Sequence, residues 1–180
     1  QEMAAHRVEH QEVDGEIRGI VDARKEYEEK YSCHIPVIMA GGIYDHSDIE
    51  HAFDLGAEGV QIASRFVATY ECDASPAYKQ AYLDAKDEDV MIINSPVGLP
   101  GRALHNNFVD KAKKGKCLVK KCYQCLEKCD PAKVPYCITK ALIDAVKGDT
   151  QNGLVFCGAN VGKINEMMSV QELMNEVAGE

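Results

Sequence analysis

Residues 35–40, IPVIMA, form an unbroken apolar run that stops at Gly41-Gly42, and a second run, 59–63 (GVQIA), stops at Ser64-Arg65-Phe66. A short continuous apolar run suits a strand buried on both faces, as strands of a parallel sheet are. The stretch between the two runs reads as a short helix. Ser47 and Glu50 have capping-box spacing, Ile49, Ala52 and Phe53 supply one apolar face, and Gly56 sits where a helix commonly ends. Upstream, Val13, Ile17, Ile20, Val21, Tyr27 and Tyr31 recur near helical spacing among charged residues, which predicts an amphipathic helix over 12–31. Helix, strand, helix, strand is the order of an α/β chain with a parallel sheet.

The remainder is less regular. Ser75-Pro76 starts a helix carrying Tyr78, Ala81, Tyr82 and Ala85, and residues 89–94 read as a short strand. The segment 95–101, SPVGLPG, reads as a loop, with Arg102 opening a helix. Residues 139–147 look helical and end at Gly148, and 149–163 form a loop around the apolar Leu154-Val155-Phe156. Ser169 and Glu172 make a second capping box, opening a last helix. Tyr78, Tyr82 and Phe53 are expected to serve packing.

A chain of 180 residues can bury a sizeable core. It holds no apolar run near the roughly 20 residues that span a bilayer, and its first residues lack the apolar centre of a secretion signal. A cytoplasmic location without a membrane partner is therefore expected. The net charge of −9 argues against a nucleic-acid partner, which needs a basic footprint. Lys111, Lys113, Lys114, Lys116, Lys120 and Lys121 are a local exception, read either as a solvated surface or as a dock for an acidic partner such as a carrier protein.

The two strand ends carry the chemistry. Phosphate binds backbone N–H groups that approach without a Cβ in the way, and it binds at helix N-termini, where unpaired N–H groups and the helix dipole attract an anion. Gly41-Gly42 offers the first arrangement; Ser64, opening a helical turn, offers the second together with a hydroxyl. In (β/α)8 barrels, phosphate sites recur in the loops after strands 7 and 8.

PVIMAGGI and LGAEGVQIASRFVATYE resemble strands 7 and 8 of the nitronate monooxygenase family, formerly 2-nitropropane dioxygenase, a pattern shared with the FMN-dependent enoyl-ACP reductase II group. The likeness extends through YKQAYLDAKDEDVMIINSPVGLPGRALHN and the tail KCYQCLEKCDPAKVPYCITKALIDAVKGD, which is similar to the clostridial-type branch. The resemblance implies the C-terminal part of a TIM (β/α)8 barrel over residues 1–115, with a cysteine-rich, mainly helical extension over 116–180. It implies FMN as cofactor. Gly41, Gly42, Ala63 and Ser64 would lie at its phosphate, with Ala63 standing where the family has glycine. Gly158 and Asn160 fall where the family places a loop near the flavin ring. The family's catalytic histidine lies in a Gly-Gly-His motif. That motif is absent from this sequence, and His6 and His10 do not match it. The chain is thus expected to start downstream of that motif, and, taken alone, to aggregate and bind FMN weakly. The implied activity is oxidation of alkyl nitronates with O2 to a carbonyl compound and nitrite. An NAD(P)H-dependent enoyl-ACP reductase acting on an enoyl thioester is the alternative within the fold, and a non-catalytic, metal-bound cysteine-rich module is the alternative outside it. A homo-oligomer is compatible with each.

Of the eight cysteines, Cys122, Cys125, Cys129 and Cys137 are densely spaced. A C-x2-C turn can aim two thiolates at one metal. The full spacing fits neither the zinc-ribbon pairs nor the ferredoxin run, so reduced thiols without a metal are expected, with these four as the candidate ligands. Arg102 and His105 are expected to be surface groups, with Arg102 able to meet an anion.

Overall fold

A computed structural model describes the backbone of residues 2–115, 117–127 and 129–180, and side chains from residue 13 onward. His6, His10 and Lys116, singled out in the sequence, lie outside the described side chains. The chain divides into two compact units: residues up to Ile62 together with Glu176–Glu180, and Ala63–Asn175.

The first unit contains α1 (Glu2–Tyr31), β1 (Ile38–Ala40), α2 (His46–Asp54) and β2 (Gly59–Gln61). The strands pair in parallel, with Ile38 opposite Gly59 and Ala40 opposite Gln61. The expected helix–strand–helix–strand order is present, and α1 is longer than its apolar pattern predicts. The apolar run of β1 is not buried on both faces: Ile38 is 57% exposed. A sheet of two strands covers such a run incompletely. Polar contacts fasten α1. Arg24 pairs with Glu58, and His34 bridges Glu28 at 2.9 Å and Glu58 at 2.7 Å. The Glu58 hydrogen bond, first, holds the His34 imidazole above its ordinary value.

The capping of α2 differs from expectation. Asp45, not Ser47, is the N-cap: its carboxylate accepts from the Asp48 backbone N–H at 3.1 Å, while Asp48 accepts from the Asp45 N–H at 3.4 Å. Ser47 instead donates to Asp45 at 2.7 Å. A carboxylate at the N-cap meets both the free N–H groups and the helix dipole, which decides the boundary in favour of Asp45. Gly56 ends the helix as expected, at φ +98°. Ala52 is fully buried, whereas Phe53, expected to pack, is 49% exposed.

The second unit holds α3 (Ser64–Val67), α4 (Pro76–Leu83), β3 (Val90–Asn94), β4 (Pro100–Leu104), α5 (Asn107–Lys113), α6 (Ile138–Val146) and the start of α7 (Val170–Ala178). Ser75 caps α4 through the Tyr78 N–H. Ser169 and Glu172 form the expected reciprocal box at α7, at 2.7 and 3.1 Å. The helix expected from Arg102 is instead β4, antiparallel to β3, with Arg102 opposite Ile92. Gly98 at φ +88° turns the chain between them, and Ala103 and Leu104 gain burial in the core by pairing across the hairpin.

That core joins Ile93, Ala103, Phe108, Val109, Tyr136, Ala141 and Leu154. Phe108 and Tyr136 meet edge to face, centroids 5.1 Å apart. Residues on both sides of position 115, the boundary that the resemblance implied, therefore contribute to one core. Asn106 locks it. Its side-chain oxygen caps α5 through the Val109 N–H at 2.9 Å, and its amide donates to the carbonyls of Thr150 and Gly153 at 2.6 and 2.9 Å. Asn106→Ala removes a cap and leaves buried carbonyls unpaired, so chemical denaturation should show a loss of about 2–4 kcal/mol. A loss below about 1 kcal/mol would show that water replaces the amide.

Candidate functional site

In the first unit the chain leaves β1 through Gly41 and Gly42, at φ +87° and +78°. Both lie in the left-handed region, where a Cβ is strained. Among the described residues, an ideal Cβ at either position would meet nothing within 4 Å. Backbone conformation, rather than crowding by the described residues, requires glycine here.

In the second unit α3 begins at Ser64, and Ala63 before it has φ −125° and ψ −56°. This φ lies outside the left-handed region, so alanine is accommodated where the resembling family has glycine. The Gly158 N–H donates to the Ser64 hydroxyl oxygen at 2.7 Å. A Cβ on Gly158 would lie 2.9 Å from that oxygen, so a side chain there would push the Ser64 hydroxyl aside. Two residues singled out separately in the sequence thus meet. Asn160 follows, at φ −93°, leading into the short turn Val161–Lys163.

The loop carrying Gly158 is held from behind. Leu154 and Val155 are buried, Phe156 bridges to Ala103, and the Tyr82 hydroxyl donates to the Phe156 carbonyl. Burial, with Tyr78 next, pushes the Tyr82 phenol far up. Tyr82 was expected only to pack; its hydrogen bond to the loop had no signal in the sequence. Cys157, also not singled out, is pushed up to about 11 by burial, against the opposing Arg102 charge. It is a neutral thiol at ordinary pH.

His105 pairs with Asp110 at the surface, at 3.0 Å, as expected. Lys111 donates to Asn152 at 2.9 Å, and Lys111, Lys120, Lys121 and Lys140 line an open hollow floored by Phe108 and Tyr136. Cys122, Cys125, Cys129 and Cys137 are unbridged. Burial, then the neighbouring Cys122, Cys125 and Cys137, raises the Cys129 thiol. Among the described residues, no three potential ligands are gathered closely enough to hold a metal ion, and no helix is long and apolar enough to cross a membrane.

Comparison with solved structures supports a TIM-barrel-type α/β fold. FabK from Thermotoga maritima matches with a TM-score of 0.66 and 32% identity, over 83% of this chain and 45% of that one. The nitroalkane oxidase of Streptomyces ansochromogenes shares the fold at a TM-score of 0.62 and 22% identity, over 84% of this chain and 40% of that one. The family model for nitronate monooxygenase matches residues 6–180, and the chain belongs to that family. A probable nitronate monooxygenase of Bacillus subtilis (strain 168) is 29% identical over 152 residues, 81% of this chain and 40% of the relative. The chain thus spans less than half the length of these relatives.

Proposed function

We propose that this chain supplies the flavin-phosphate end of an FMN-dependent oxidoreductase that oxidises alkyl nitronates with O2 to a carbonyl compound and nitrite. The observation that carries this reading is the left-handed Gly41-Gly42 turn at the end of a parallel strand, where no described residue lies within 4 Å of either Cβ position, in a chain of this family. In the proposal, Gly41, Gly42, Ala63 and Ser64 hold the phosphate, while Gly158 and Asn160 border the ring. When bound, the flavin supplies the means of taking electrons from the substrate and passing them to O2. The chain's own residues bind and orient. The Gly158 N–H fixes the Ser64 hydroxyl oxygen, and Tyr82 anchors the loop at Phe156.

A second reading, reduction of an enoyl thioester with NAD(P)H, is favoured by the similarity to FabK. The full-length protein, given a primary alkyl nitronate in air, is expected to consume O2 and release nitrite. Nicotinamide oxidation dependent on an enoyl thioester, without nitrite release from the nitronate, would replace the first reading with the second.

A further inference from the structure

The cysteine-rich segment does something its spacing alone argues against. Cys122, Cys125, Cys129 and Cys137 line one hollow, among apolar walls that include Val119, Leu126 and Ile138. Four thiols facing one hollow need a reason. Cysteine can pack as a small apolar residue, but Cys122 and Cys125 are exposed, so burial does not account for them.

The local backbone aims a donor at the first of these sulfurs. Gln124 adopts a left-handed φ of 53°, uncommon for a residue with a side chain. This turns the C-x2-C loop so that the Gln124 N–H points at the Cys122 sulfur, at 3.4 Å. Backbone N–H donors to sulfur are among the features that tune cysteine-bound clusters. Cys137 stands at the N-cap of α6, its side chain makes no capping hydrogen bond, and the residue lines the hollow. Lys120 and Lys121 lie just before Cys122 and supply positive charge beside the thiols.

The arrangement also discriminates between metals. Tetrahedral zinc, with Zn–S bonds of about 2.3 Å, needs its four sulfurs roughly 3.8 Å apart around a single point. Among the described residues no three ligands are gathered closely enough for one metal ion, while the four cysteines line one hollow. A [4Fe–4S] cluster takes one thiolate on each of its irons and occupies the space between them. We propose that Cys122, Cys125, Cys129 and Cys137 are the ligands of an iron–sulfur cluster, a second prosthetic group beside the flavin.

The test is elemental analysis of the full-length protein purified without oxygen. About four iron and four acid-labile sulfide per chain are expected, with broad visible absorbance beyond the flavin's that bleaches on reduction by dithionite. Cys125→Ser and Cys129→Ser should each lower iron and sulfide by roughly fivefold or more, whereas Cys33→Ser and Cys72→Ser, away from the hollow, should leave both unchanged. One zinc per chain without sulfide would overturn the proposal. So would a metal content below half an equivalent with rapid labelling of the four thiols. Should a serine variant fail to fold, the iron and sulfide content of the unsubstituted protein decides the matter alone.

Discussion

Gly42→Val in the full-length protein is expected to abolish flavin retention. The native φ of +78° puts the backbone where a side chain costs about 1–2 kcal/mol and a β-branched one costs more. In the proposed site the valine side chain also occupies the space above the turn, where phosphate would approach. At about 1.4 kcal/mol per tenfold in affinity, strain and steric exclusion together should lower binding by at least about a hundredfold. Gly98→Val is the control. It strains a turn of similar φ, +88°, with equally open surroundings, but on the β3–β4 hairpin. It should cost stability and leave the flavin-to-protein ratio as it was. If both variants keep their flavin, Gly41-Gly42 is an ordinary strand-to-helix turn.

Gly153→Ala should be the most damaging single methyl group in the second unit. Its Cβ would lie 2.3 Å from the Ala145 backbone nitrogen and 2.6 Å from the Ala145 Cα. Helix α6 cannot withdraw, because Ala141 and Ala145 are buried and the Ala141 carbonyl accepts from the Leu154 N–H at 2.9 Å. The Gly153 carbonyl is also held by Asn106. Overpacking against backbone, with loss of these bonds, should cost about 3–5 kcal/mol in denaturant unfolding. A cost under about 1 kcal/mol would mean that the loop yields without disturbing the core.

What the sequence disclosed follows the range of the interaction. The apolar runs that become β1 and β2, the Ser75 cap, the end of α2 at Gly56 and the Ser169–Glu172 box all depend on residues within a few positions, and each is present. The Asp45 cap was missed because Ser47 and Glu50 match the same pattern two residues later, and only geometry separates the two boxes. The β3–β4 hairpin was missed because Ala103 and Leu104 become strand by finding Met91 and Val90 across a turn whose Pro and Gly had read as irregular loop. Glycine and serine signalled the candidate site, yet the bond between Gly158 and Ser64 spans 94 positions and no short-range pattern reports it. The cysteine hollow is similar. Spacing alone set the thiols apart from familiar motifs, whereas the turn at Gln124 and the position of Cys137 bring them around one space.

The Gly158–Ser64 bond also bears on biosynthesis. Chains emerge from the ribosome N-terminus first, and domains fold as units once their sequence is available. Ser64 emerges long before Gly158, and Tyr82 long before the Phe156 carbonyl that accepts its hydrogen bond. The segment after residue 115 is therefore not a tail added to a finished scaffold. Until it has been synthesised, the second unit lacks both the loop partner of Ser64 and half of its core. A nascent chain arrested before residue 154 should leave the second unit open to protease, and that unit should become resistant once residues through Asn175 have cleared the exit tunnel.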